Sequence, residues 1–362
     1  MSATTTTATT PNADAGTRAL SLRWIIGARD DLVWFIGSVV TSYALFALYV
    51  WGLVPLVPMV AAWAILVDAP HVFATFSRTY FDREERRARA RLLWWSLLFF
   101  AAGPLAVVAG LGFLFFFLAA LWAYYHLVKQ HYGFMVLYKK KNRDLDPADN
   151  FLDRAFLLLA FTYPFVRFVA RDGEALRRVP EALHAWLGML EAVLLAATFL
   201  AAVAWVARQG QRALLGLPLD VPKYLLLAAA VPMHWVVLLT PMPHKPIAIV
   251  AMLTIYHNLQ YHRLVWFHNR KYRGGGDDGR GRHGAAEFIS RRLFHYLALG
   301  VIFGVWYQVP RQYVNHASDP EAFVTQLFSG FLWGYALLHY HLDSKIWRVR
   351  RDPSVGAALR ME

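Results

Sequence analysis

The segment from Leu111 to Lys141, LGFLFFFLAALWAYYHLVKQHYGFMVLYKKK, decides the fold. Its first half is an uninterrupted apolar run, its second half carries His126 and His131, and three consecutive lysines close it. A helix needs roughly 20 apolar residues to cross about 30 Å of hydrocarbon, and this stretch supplies them. The lysines mark where the chain leaves the membrane. An ionisable ring inside such a segment is expensive, so each histidine asks for a partner.

The same pattern recurs along the chain. Of its 362 residues 57% are hydrophobic and 15% aromatic, more than a water-soluble domain of this size needs. The expected fold class is therefore all-α, a polytopic integral membrane bundle of about ten transmembrane helices. Their expected positions are 32 to 53, 55 to 76, 92 to 110, 111 to 138, 151 to 171, 184 to 207, 222 to 242, 246 to 268, 289 to 309 and 322 to 347. Basic residues alternate between the connections. They crowd at Arg78 to Arg91, Lys139 to Arg143 and Arg270 to Arg282, and again at Lys345 to Arg351, and they thin out in the loops between. Cytoplasmic loops carry such an excess, so both termini are expected in the cytoplasm.

The net charge of +13 sits in these short loops rather than in a separate basic domain, which argues against nucleic acid as a partner. Residues 1–22, rich in Thr and Ala, read as a disordered tail. Residues 23–348 read as one membrane bundle with a mobile cytoplasmic loop at 270–287, glycine-rich around Asp277 and Asp278. Residues 349–362 read as a C-terminal tail. A bacterial inner membrane, with the active site near the cytoplasmic side, is the expected location.

Seven histidines fall at one depth: His71, His126, His131, His257, His262, His339 and His341. All lie on descending spans, about 6 to 12 residues, or roughly 9 to 18 Å, from the cytoplasmic end. Shared depth in lipid points to a common metal centre. With no cysteine in the chain, thiolate haem, iron–sulfur clusters and disulfides are excluded, and ligands must come from His, Asp and Glu. His234 and His295 are candidates of second rank.

Spacing limits how these rings are used. His126 and His131, like His257 and His262, are five apart, about 140° round an ideal helix. One ion takes both members of a pair only if a π-bulge intervenes; otherwise the second member supports the first or serves a second ion. His339 and His341 diverge as well. Asp68 lies one turn before His71 and either ligates or orients a ring. Tyr125 and Tyr256 immediately precede candidate ligands and are expected to line a substrate cavity and act in turnover.

Three of these stretches resemble the membrane-integral β-carotene dioxygenases of the Brp/Blh type: Pro70-His71 with its nearby acidic residue, Tyr125-His126, and Tyr256-His257 with His262. The resemblance implies iron ligation by His71, His126, His257 and His262. In this chain the glycine after Pro-His is missing and the late pair is five rather than four apart. His131, His339 and His341 have no secure equivalent in that family.

The expected function is a membrane oxygenase with one or two Fe ions, ranked ahead of Zn or Cu, and O2 as co-substrate. It would act on a lipophilic carotenoid, acyl or isoprenoid chain drawn from the bilayer, with an electron donor where the chemistry requires one. Fatty-acyl desaturases and hydroxylases, intramembrane zinc hydrolases and proton-coupled transporters also place histidines in membranes. The desaturase boxes HxxxH and HxxHH are absent here, seven histidines exceed a hydrolase's need, and the paired broken helices of a transporter are missing.

Overall fold

The computed structural model describes residues 20–273, 281–317, 319, 322–349 and 352–361. Ten long helices follow one another among them: α1 Ala28–Val50, α2 Leu56–Ser77, α3 Ala90–Val108, α4 Gly112–Lys141, α5 Pro147–Arg171, α6 Glu181–Leu214, α7 Val221–Leu239, α8 Lys245–His268, α9 Leu293–Ala317 and α10 Phe323–Ile346. Seven of them are long and apolar enough to cross a membrane: α1, α2, α3, α4, α6, α7 and α9.

The bundle is all-α as expected, but the count of about ten apolar spans becomes seven. The remaining three, α5, α8 and α10, are helices of full length in which exposed polar groups, such as Arg154 on α5, add to buried ones. On α8 these are His257, Asn258 and Gln260, on α10 His339, and on α5 Asp149 and Asp153. Hydropathy falls where the interior is polar.

Four helices close a ring. The pairs α2–α8, α8–α4, α4–α10 and α10–α2 are all in contact, with α7 packed against α4 and α8 on the outer side. Pro70 shapes the α2 wall. It has no amide hydrogen to give the preceding turn, and the helix widens to π geometry over Ala64–Asp68 just before it. Against this widened turn α9 lies so close that a Cβ on Gly304 would collide with the Ile65 carbonyl. On the other wall, Tyr256 Oη and Gln260 Nε2 both donate to the Phe35 carbonyl, at 2.6 and 2.7 Å, and pin α8 to α1.

The basic connections meet at one end of the bundle. Tyr272 Oη donates to Asp82 Oδ2 at 2.8 Å, the Arg83 amide to the His283 carbonyl at 3.1 Å, and Arg270 Nη2 to the Ala358 carbonyl at 2.9 Å. Arg89 pairs with Asp352 there too. Leu20–Ser21 joins this end as a short strand parallel to Leu219–Asp220. Four neighbouring helices are tied by a buried ionic cluster: Lys223 Nζ lies 2.6 Å from Asp144 and 3.0 Å from Asp153, Arg212 lies 2.6 Å from Asp149, and Lys139 pairs with Asp153.

The expected tail over 1–22 lies outside the described residues as far as residue 19. The expected mobile loop at 270–287 does so over 274–280; on either side the chain is helical at Asn269–Tyr272 and Ala285–Ser290. The C-terminal segment is docked rather than free. Its helix Pro353–Ala358 brings Val355 into the main core, where Leu359 follows.

Candidate metal centre

Each helix of the ring contributes one histidine. His71 follows Pro70 on α2, His126 is on α4, His257 on α8 and His339 on α10, all buried. Their rings form a closed quadrilateral, with centroids 4.8 Å apart for His71–His257, 5.1 Å for His257–His126, 4.9 Å for His126–His339 and 4.5 Å for His339–His71. One nitrogen from each lies within 4.8 Å of the other three.

These nitrogens have no other use. Both ring nitrogens of His71, Nε2 of His126, Nδ1 of His257 and Nε2 of His339 are buried without a hydrogen-bond partner. Leaving one buried polar atom unpaired costs about 1–3 kcal/mol, and here several converge on one spot. Four adjoining rings cannot all be imidazolium, because like charges in a dry interior repel. A metal ion satisfies all four lone pairs at once. Regular tetrahedral arms of about 2.1 Å give edges near 3.4 Å, so each ring need move inward by less than about 1 Å.

The back of His339 is wired for that role. Thr75 Oγ1 donates to Asp343 Oδ1 at 2.8 Å, and Tyr261 Oη donates to the same oxygen at 2.7 Å. With its only hydrogen committed, Thr75 Oγ1 accepts from His339 Nδ1 at 2.8 Å. The proton therefore sits on Nδ1, and Nε2 presents its lone pair to the centre. Trp347 Nε1 extends the chain, donating to Tyr261 Oη at 3.3 Å.

Several expected site residues lie elsewhere. His262, a ligand by the family resemblance, spends both nitrogens, one on Tyr296 Oη at 2.9 Å and the other on the Val67 carbonyl at 3.3 Å. His339 stands in the fourth place instead. His131 lies behind His257, with centroids 6.5 Å apart. His341 is turned outward, its ring 5.4 Å from that of Phe99, as the two-residue spacing from His339 requires. Asp68 accepts from Asn258 Nδ2 at 3.2 Å and is not in the group. No π-bulge brings either five-residue pair together: α4 and α8 are regular around them, and the widened turns among the described residues are on α1, at Asp31–Gly37, and α2.

The two expected aromatic residues are also displaced. Tyr125 is 56% exposed on the outer surface, and Tyr256 is the strut to Phe35 described above. The tyrosines that touch the centre are Tyr261, edge-on to His71 at 4.5 Å, and Tyr340, stacked on His126 at 4.4 Å. Tyr261 was within reach of sequence reasoning. It stands four after His257, on the same face of α8, whereas Tyr256 is its immediate neighbour and points away.

An apolar groove of ≈450 Å³ opens beside α2, lined by Leu45, Met59, Trp63, Leu66, Val67 and Ile255. Ile255 is two residues from His257 and Val67 four from His71, so the groove runs alongside two walls of the ring.

Fold and site together define an all-helical bundle with membrane-length apolar helices and a buried four-histidine group that has the donors to hold a metal ion. No protein-family model, curated protein or solved structure matches the chain.

Proposed function

We propose that this chain is a membrane-embedded non-haem iron oxygenase acting with O2 on a lipophilic substrate. One observation carries the reading: four helices each aim an unpartnered imidazole nitrogen at a single buried point. Imidazole donors suit Fe, Cu and Zn. The resemblance of the Pro70-His71, Tyr125-His126 and Tyr256-His257 stretches to carotenoid dioxygenases favours iron. When bound, iron would supply O2 activation; His71, His126, His257 and His339 would hold it.

The surroundings support oxygen chemistry over hydrolysis. Among the described residues no carboxylate joins the group: Asp343 is separated from it by Thr75, and Asp68 is held by Asn258. A zinc hydrolase needs an acidic group beside its water. The apolar groove along α2 and α8 favours a hydrocarbon chain, carotenoid, acyl or isoprenoid, approaching from the bilayer. In this reading α5, α8 and α10 complete ten spans around their buried polar groups. Both termini lie in the cytoplasm of a bacterial cell, where an electron donor reaches the basic end.

The test is metal analysis of detergent-purified protein, followed by O2 uptake with carotenoid and acyl-lipid mixtures and mass spectrometry of the products. Stoichiometric iron, and O2 consumption coupled to an oxygenated or cleaved lipid, are expected. Absence of any bound transition metal would overturn the reading. Tightly bound metal without O2 uptake on any lipid class would remove the oxygenase assignment and leave a metal-binding bundle.

A further inference from the structure

Outside the four-histidine group three fully buried imidazoles among the described residues keep an unpartnered Nε2; His268 stands apart beside Asn269, while His131 on α4 and His234 on α7 adjoin. The last two are held in the same way. His131 Nδ1 lies 3.0 Å from the Leu127 carbonyl, and His234 Nδ1 lies 2.9 Å from the Ala230 carbonyl. A carbonyl oxygen only accepts, so both Nδ1 atoms carry the hydrogen. In the neutral ring the Nε2 of each is then a bare lone pair. Both Nε2 atoms are buried without a partner.

The two rings stand 5.5 Å apart and perpendicular. Their neighbours offer no hydrogen. Phe161 lies against both, at 5.4 and 4.0 Å, and the Tyr256 ring is 5.3 Å from His131 with its hydroxyl committed to Phe35. Tyr124 touches the edge of His234, and its hydroxyl donates to the Phe161 carbonyl at 2.7 Å. Two buried rings adjoin, each with a bare acceptor that has no donor among the described residues. What such a pair lacks is an electrophile.

We propose that His131 and His234 form a second cation position, for a transition-metal ion of the kind that imidazole nitrogen binds, directly behind the first. An Nδ1–H bonded to a carbonyl, with Nε2 free, is the arrangement in which metal-bound histidines are held. His257 is the wall between the two positions. Neither of its ring nitrogens has a hydrogen-bond partner among the described residues, and its ring lies 4.8 Å from His71, 5.1 Å from His126 and 6.5 Å from His131. A neutral imidazole has one lone pair, and that of His257 serves the first group, so the second position rests on His131 and His234; this division rests on the proposed four-histidine centre. The spacing of five between His126 and His131 then has a use. It prevents both rings from serving one ion and lets a single helix supply two.

Purified full-length protein, stripped with a chelator and titrated with Co(II) alone, tests the proposal. Two Co(II) per chain are expected for the wild type, falling to one in His131→Gln and in His234→Gln, and to one in His71→Gln through loss of the first position. Size-exclusion profiles matching the wild type establish that the variants are folded. Should they fail to fold, EPR of the wild type loaded with Cu(II) alone decides, with dipolar broadening between two neighbouring ions expected. A wild type that binds one ion, retained unchanged in His234→Gln, or a saturated wild type with an isolated Cu(II) spectrum, overturns the second position and leaves the first standing. A wild type that binds no metal overturns both.

Discussion

At His339 the nitrogen that faces away from the centre is already engaged, and its partner, Thr75, answers to Asp343. Carboxylates placed behind a ligand in this way fix its tautomer and raise its basicity, and their loss costs roughly 10- to 100-fold in metal affinity. Asp343→Asn is expected to weaken metal binding by about that factor in an equilibrium titration. Thr75→Val should do the same and Thr75→Ser should restore binding, since only the hydroxyl is used; equal affinity in all three would remove the relay. The contrast between His339 and His262 is sharper. His339→Ala should empty the centre, whereas His262→Ala, which breaks bonds to Tyr296 and Val67 only, should keep metal while loosening α8 from α2. That histidines from different helices gather at one place was legible from their positions along the apolar runs, but the choice between these two was not. It depends on which carbonyl the π turn before Pro70 presents to His262, and no local pattern reports that.

Among the elements, α2 and α9 meet where neither can yield. Gly304 has the Ile65 carbonyl where a Cβ would go, so Gly304→Ala should push the helices apart and cost about 1–3 kcal/mol, as overpacking does. A lowered thermal midpoint with reduced metal affinity is the expected result, and an unchanged protein would show that the contact is soft. At the other side of the bundle, burial pushes the Asp220 carboxyl up from its ordinary 3.8 to about 7. A carboxyl raised by folding burdens the fold as pH climbs from that ordinary value through its folded one, because the unfolded chain releases the proton first. Asp220→Asn keeps an acceptor for the Lys223 amide and removes the burden. Its thermal advantage over wild type should therefore grow between about pH 5 and pH 8, and an advantage that is constant over that range would contradict the account. Asp144 behaves oppositely: burial would raise it, but Lys223, Lys139 and Arg212 hold it down to about 2, so its contribution is lost only as pH falls toward that value. The helices themselves were readable from apolar runs, and α8 and α10, too polar to qualify as spans, each carry a histidine of the group. Hydropathy cannot distinguish a polar group facing water from one facing another helix.

On the scale of the whole molecule, the connections rich in Lys and Arg converge on one end, as their alternation along the sequence requires. The chain contains no cysteine, so single cysteines introduced at Arg86, Arg143 and Arg282 give an unambiguous assay of sidedness. All three should be labelled from the same face of sealed vesicles by an impermeant maleimide, and one at Arg177 from the opposite face. Any split among the first three would break the topology. The ring of helices also sets an order of maturation. Synthesis delivers α2, α4 and α8 before α10, and chains fold as they emerge. A nascent protein therefore holds three of the four rings around an open side, through which an ion can still arrive, until the last long helix inserts and brings His339 with it. On the proposed metal-binding reading, completing translation and closing the site become a single event, and a chain that stops short of α10 should retain no metal.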